Sequence, residues 1–284
     1  MMKRIRLGIS PCPNDTFIFY HLLNRQVLPF EVEPVIRDVE ELNRLVLSDA
    51  LHVSKVSFGL AGKVLDRYII LDSGVALGRG CGPLVLSRKK ISRKELSRAR
   101  IAIPGVNTTA ALLLRLFVPQ AEDLVEMSFN EIVGAICKGE VDAGCVIHET
   151  RFTYRDFGLE LVQDLGKWWE ETTKSPIPLG GIVAKRSISI KDMVILNEAI
   201  KKSMRFAQGN YHEVSGFIRR HAQEISQEVQ RKHIDLYVNE YSYDLGEEGR
   251  QAISLLFESA RKAGLIPWGA DHEGPLFLSD AVRE

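Results

Sequence analysis

His148 stands directly after a short apolar run, residues 143–147, and is followed by Glu149 and Arg151. The run suits a buried strand, and Lys138-Gly139 ahead of it suits a helix exit, since glycine tolerates the left-handed conformation. In open α/β sheets ligands bind beyond the carboxyl ends of strands, so a histidine here is placed for proton transfer. An imidazole's ordinary pKa, about 6.5, lies near working pH; a purely structural histidine would fit the same position. Thr108 and Thr109, followed by Ala110, stand where a Pro104-Gly105 loop enters a helix. Uncapped amides and the helix dipole suit a carboxylate or phosphate there, although plain N-capping uses the same residue types. Ser10-Pro-Cys-Pro-Asn-Asp-Thr16 is an equivalent turn, stiffened by two prolines and able to present Asn14, Asp15 and Thr16 to a ligand. Ser57-Phe58 is a third strand-to-helix turn.

Several other chemistries lack their residues. Neither a His-Glu-x-x-His motif, a Ser-His-Asp order nor a carboxylate pair at useful spacing is present. The cysteines (Cys12, Cys81, Cys137, Cys145) are scattered, which points to reduced thiols rather than zinc ligands or a redox pair. The run Gly78-Arg-Gly-Cys-Gly82 has no strand–helix context, so a dinucleotide reading fails, and its glycines suit a hinge or a close ligand approach. Of the seven histidines, His212, His221 and His233 fall on polar helical stretches and His272 in the tail. Only His148, His21 and His52 fall near ligand-facing turns.

The elements that must position these residues follow from periodicity and caps. Residues 4–10 read as a strand, and Asn14 or Asp15 can cap a helix over 16–23. A half-buried strand over 30–36 follows, then a helix opened by the capping box Asp38-Val-Glu-Glu41, and a strand over 53–56 with Ser57 as the next cap. Strands over 68–72 and 83–87 come next, and a basic connector over 88–100 contains the cap-like Ser92-Arg-Lys-Glu95. A second βα series begins there: a strand to Pro104, a helix from Asn107-Thr-Thr to Val118, a strand over 124–127, and a helix opened by Ser128-Phe-Asn-Glu131. The His148 strand and strands over 159–165 and 181–185 complete it, and 190–264 is helical. Alternating strands and helices predict parallel sheets. The restart near residue 90 predicts two lobes, residues 1–88 with 183–284 as a large α/β lobe and 89–182 as a small one.

The chain has 284 residues and equal numbers, 37 each, of basic and acidic side chains. That balance gives no field for nucleic acid or an anionic membrane. No stretch approaches the roughly 18 apolar residues of a membrane span, and the basic N-terminus lacks the apolar run of a signal peptide. A cytoplasmic protein with a small-molecule partner is expected, and a homodimer is compatible with all of this.

Taken in order, Ser10-Pro-Cys-Pro-Asn-Asp-Thr-Phe-Ile-Phe19, Lys55-Val-Ser-Phe58, Leu77-Gly-Arg-Gly-Cys-Gly-Pro-Leu84 and Ile103-Pro-Gly-Val-Asn-Thr-Thr-Ala110 carry a resemblance. So do Gly139-Glu-Val-Asp-Ala-Gly-Cys-Val-Ile-His-Glu149, Asp164-Leu-Gly-Lys-Trp-Trp-Glu170 and Pro178-Leu-Gly-Gly181. Together they resemble the 1,4-dihydroxy-6-naphthoate synthases of the futalosine route to menaquinone, densely over residues 5–185. The resemblance implies a two-lobed, type-2 periplasmic-binding-protein-like α/β fold with the active site in the cleft between lobes. It implies a lyase without cofactor or metal that converts cyclic dehypoxanthinyl futalosine to dihydroxynaphthoate with release of a sugar-derived fragment. The family's base falls on His148, and its carboxylate-binding helix start on Thr108 and Thr109, with Ala110. Asn14, Asp15, Thr16, Ser57 and Asn43 complete the expected substrate-binding set, and lobe closure is expected to exclude water. The rival from another class is a solute-binding protein for a small carboxylate, using the same cleft without chemistry.

Overall fold

The computed structural model describes residues 4–25, 27–148, 150–222, 226–267 and 274–283; Glu149 and His272 lie outside the described residues. The chain opens with β1 (Arg4–Ile9), α1 (Pro13–Asn24), β2 (Glu31–Ile36), α2 (Val39–Leu47), β3 (Val53–Ser57), α3 (Phe58–Ala61), β4 (Tyr68–Ile70) and β5 (Ala76–Gly78). A second series runs through β6 (Leu84–Ser87), α4 (Arg93–Leu96), β7 (Ile101–Ile103), α5 (Thr109–Phe117), β8 (Leu124–Glu126), α6 (Ile132–Lys138) and β9 (Ala143–Val146). After α7 (Thr150–Thr153), β10 (Glu160–Asp164) and α8 (Leu165–Thr173), the chain returns along β11 (Ile177–Lys185). It finishes in α9 (Ile190–Gly209), α10 (Tyr211–His221), α11 (Gln227–Tyr237), α12 (Glu240–Tyr243), α13 (Gly246–Lys262) and α14 (Leu278–Arg283).

These strands form two sheets, ordered β2-β1-β3-β11-β4 with β5 also on β11, and β10-β6-β9-β7-β8. The expected parallel sheets are in fact mixed. β1 is parallel to β2 and β3, and β7 to β8 and β9, but β11 is antiparallel to β3, β4 and β5, and β6 to β9 and β10. The reversed strands are the ones that carry the chain between sheets. They arrive from the opposite lobe rather than through a local helix crossover, so no right-handed βαβ unit dictates their direction. Sheet membership also moves the expected crossings: residues 84–87, read with the first lobe, pair in the second sheet, and β11 joins the first sheet from Ile177.

Local chemistry explains most starts and stops. Asp38/Glu41 and Ser92/Glu95 form the expected reciprocal capping boxes, and Gly139 ends α6 at φ 76°. Three expected side-chain caps are absent, the first being Ser57, which stands at the N-cap position of α3 without a capping hydrogen bond. Helix α1 begins earlier, with Pro13 at its first position and Cys12 before it, so Asn14 and Asp15 lie inside the first turn rather than capping it. Helix α6 is preceded by Glu131 without a side-chain cap, and the Ser128 carbonyl accepts the Glu131 amide instead.

The largest apolar core spans both sheets, containing Val56 of β3 and Ile101 of β7 together with Phe58 of α3, Leu113 of α5 and Phe257 of α13. A second core lies between the first sheet and helices α1 and α9, with Leu7, Ile18, Phe19 and Ile200 fully buried. Helix α11 packs on α1 and β5. Its buried stripe, Gln230, His233, Ile234 and Tyr237, follows the helical period.

Candidate active site

A cleft open to solvent lies between the sheets at the carboxyl ends of β1, β3, β7 and β9. Ser10, Asn14, Asp15, Ser57, Thr108, Thr109, Ala110 and His148 all line it. Thr16 and Asn43 do not. Thr16 Oγ1 turns back to donate to the Cys12 and Pro13 carbonyls. Asn43 stands behind Ser57: its Oδ1 accepts the Ser57 amide at 3.0 Å and its Nδ2 donates to Ser57 Oγ and Glu40 Oε2. Asn43 thus supports a residue that lines the cleft, whereas Thr16 fastens the first turn of α1. Of the other histidines near turns, His52 Nδ1 accepts the Arg6 amide and His21 stacks on Phe206.

His148 follows β9 in the left-handed region at φ 59°. A non-glycine residue held there costs on the order of 1–3 kcal/mol, and such residues cluster at functional sites. Phe129 meets its ring edge-on with centroids 4.7 Å apart. Cys12 Sγ lies 3.4 Å from Nδ1 and 3.8 Å from Nε2, against the ring rather than in line with one nitrogen. The neighbouring Arg151 donates to the Gly82 carbonyl and pairs with Asp164 Oδ2 at 2.7 Å, fixing the segment after His148 to the interlobe crossing.

Beside it, at the end of the neighbouring strand β7, Thr108 is the N-cap of α5: its hydroxyl accepts the Ala111 amide and donates to the Gly105 carbonyl. Thr109 Oγ1 accepts the Gly59 amide at 3.1 Å and donates to the Leu179 carbonyl. Both hydroxyls are therefore occupied. Among the described residues, the groups left for an anion are the first-turn amides of Thr109 and Ala110, which have no partner within the helix.

The floor of the cleft is a charged network that the sequence did not disclose. Lys55 Nζ pairs with Asp15 Oδ1 at 3.2 Å and donates to the Gly74 carbonyl, with both side chains nearly inaccessible. Asp15 Oδ2 also accepts the Ser10 amide and hydroxyl, the latter at 2.6 Å, and Asn14 Nδ2 donates to Oδ1. His233 Nε2 lies 3.0 Å from Asn14 Oδ1, and its ring is 6.1 Å from that of His148 and nearly parallel to it. His233 is 1 % exposed; burial holds it well below an imidazole's ordinary pKa, with His148 and Lys55 adding to the effect. It was passed over because α11 is polar on most faces. The one available signal was its place in the stripe Gln230, His233, Ile234, Tyr237.

Burial pushes the thiols of Cys81, at the cleft wall, and Cys145, beneath it, up to about 12, so neither is a ready nucleophile. Among the described residues, no group of three or more His, Cys, Asp or Glu side chains is placed to hold a metal ion.

A buried ion pair, two helix starts and two imidazoles facing one cleft suit a small anionic, hydroxyl-bearing ligand. Residues 5–262 match the family model described as menaquinone biosynthesis. The chain belongs to that family. It is 46% identical over 278 residues to the 1,4-dihydroxy-6-naphthoate synthase of Thermus thermophilus, covering 98% of this chain and 100% of that one. Protein AF1704 from Archaeoglobus fulgidus has a similar structure, with TM-score 0.88 and 37% identity over 93% of this chain and 98% of that one. The periplasmic aliphatic sulphonate binding protein SsuA from Escherichia coli shares the fold at TM-score 0.65 and 10% identity, over 94% and 89% of the two chains. The architecture is thus the two-lobed periplasmic-binding-protein fold, within a family of menaquinone biosynthesis.

Proposed function

We propose that this enzyme is a 1,4-dihydroxy-6-naphthoate synthase that acts on cyclic dehypoxanthinyl futalosine, with His148 as the general base. The observation that carries the reading is His148 itself, held in a left-handed conformation at the end of β9 within a cleft that α5 enters with free amides. In this reading the substrate carboxylate rests on the Thr109 and Ala110 amides, where the helix dipole favours negative charge. The polyol part lies against Ser10, Asn14 and Ser57. His148 removes the proton that starts fragmentation, and aromatisation of the departing ring supplies the driving force. The placement of an anion-binding helix start and a base at the carboxyl ends of the neighbouring strands β7 and β9 supports this division of labour. We place the reaction in the cytoplasm; among the described residues no helix is long and apolar enough to cross a membrane.

Incubating the purified protein with cyclic dehypoxanthinyl futalosine and following the naphthoate absorbance tests the reading. Product formation is expected at catalytic enzyme concentration. Tight binding without turnover would instead support a solute-binding role for the same cleft.

A further inference from the structure

The hydrogen-bond chain beneath the cleft has a fixed direction. Asp15 pairs with the Lys55 ammonium and takes two further donors from Ser10, so its carboxylate only accepts. The Asn14 group facing Asp15 must then be the amide nitrogen, which donates at 3.1 Å. That turns the Asn14 oxygen toward His233, and an oxygen there requires the Nε2 of His233 to carry the proton. In the neutral ring the remaining nitrogen, Nδ1, is consequently a bare acceptor. It is fully buried from water and has no partner, on a ring that lines the cleft. A buried acceptor left unmatched typically costs about 1–3 kcal/mol; water does not reach it in this arrangement, so it is matched only when a small shift of the ring or of the cleft wall admits a donor from the cleft.

We propose that His233 binds the substrate directly, its Nδ1 accepting a hydrogen bond from a substrate hydroxyl, and that Asn14 holds it in the tautomer this requires. The proposal rests on the function proposed above and adds a recognition element to that site. The ligand class it selects is one with a hydroxyl on the α11 side of the cleft. A carboxylate oxygen at the same point would meet lone pair with lone pair, so the ligand's anionic end belongs at α5 and its hydroxylated end here. Burial keeps the ring uncharged, which suits it as an acceptor while His148, on the opposite wall, handles the proton.

Two substitutions separate this role from a structural one because each reproduces a different ring nitrogen. His233→Gln extends an amide to the Nε2 position and keeps a donor for Asn14, but leaves nothing at Nδ1. His233→Asn places an amide oxygen near Nδ1 and loses the reach to Asn14. Binding of cyclic dehypoxanthinyl futalosine is measured by calorimetry with each change added to His148→Asn, which suppresses turnover, and melting temperature is recorded alongside. The expected result is a rise in Kd of about 3- to 10-fold for His233→Gln at near-unchanged melting temperature, the size of one neutral hydrogen bond. His233→Asn should retain affinity better while melting earlier. The reverse ranking in affinity overturns the proposal and leaves His233 as an anchor for α1. If neither variant folds, nitrogen NMR of the His148→Asn protein decides: the His233 Nδ1 resonance must move on ligand binding, and an unmoved resonance overturns the proposal. Failure of the wild type to turn over the compound sinks the function proposed above, whereas normal wild-type turnover with unaltered binding by His233→Gln sinks this inference alone.

Discussion

At His148 the strand register and the backbone strain meet: β9 ends at Val146, and two residues later the chain turns left-handed. His148→Asn keeps a side chain tolerant of that conformation and removes the basic nitrogen. The variant should melt within a few degrees of wild type and bind the substrate, while kcat falls about 10²- to 10⁴-fold. A kcat within a few-fold of wild type would remove His148 as the base, and neither His21 nor His52 lines the cleft to replace it. His148 was legible because its position after an apolar run is a local property of the sequence. For Thr108 and Thr109 only the place was legible: the helix start lines the cleft, but both hydroxyls serve the fold, which leaves the Thr109 and Ala110 amides without a partner in the helix. Lys55 and His233 escaped because their partners, Asp15 and Asn14, are 40 and more residues away along the chain.

Element by element, the sequence showed what a cap or a period can show. The Asp38 and Ser92 boxes and the β1, β3, β7 and β9 strands match their local patterns, whereas β5 is set by its pairing with β11. The glycines at the interlobe crossing also have a tertiary cause. A Cβ on Gly82 would lie 2.3 Å from Gly166, so it is helix α8, not a ligand, that approaches closely there. Helix α11 yields a test of its docking. Burial lowers the pKa of His233, so between its unfolded value, about 6.5, and its lower folded value the unfolded chain binds a proton that the native state refuses. The stability associated with that site is fully present above pH 6.5 and declines as pH falls through the window. One such proton gives a slope of at most about 1.4 kcal/mol per pH unit. Denaturant unfolding of wild type and His233→Gln at a series of pH values should show a steeper acid-side loss in the wild type. Equal slopes would mean the imidazole is charged or solvated in the folded protein.

At the scale of the molecule, a helix of the second sheet's lobe is fastened to the first lobe. Asn107, ahead of α5, donates to Glu40 Oε1 of α2 at 2.7 Å and accepts from Lys63 Nζ at 3.0 Å. Thr109 is bound by the Gly59 amide of α3 and binds the Leu179 carbonyl of β11. The shared apolar core continues the same junction below. Opening the cleft as two rigid lobes would therefore exchange these hydrogen bonds for bonds to water, at a net cost of about 0.5–1.5 kcal/mol each. Asn107→Ala removes both of its cross-lobe bonds while leaving Thr108 free to cap α5. It should lower the melting temperature, weaken substrate binding because the Thr109 and Ala110 amides are less firmly held, and expand the ligand-free protein in small-angle X-ray scattering. Saturating ligand should restore the compact profile, since a ligand that bridges α5 and α1 favours the closed arrangement by its difference in affinity for the two states. A variant that is less stable yet scatters like wild type would confine Asn107 to a local role at the helix start, and lobe closure would then have to be governed by the apolar core alone.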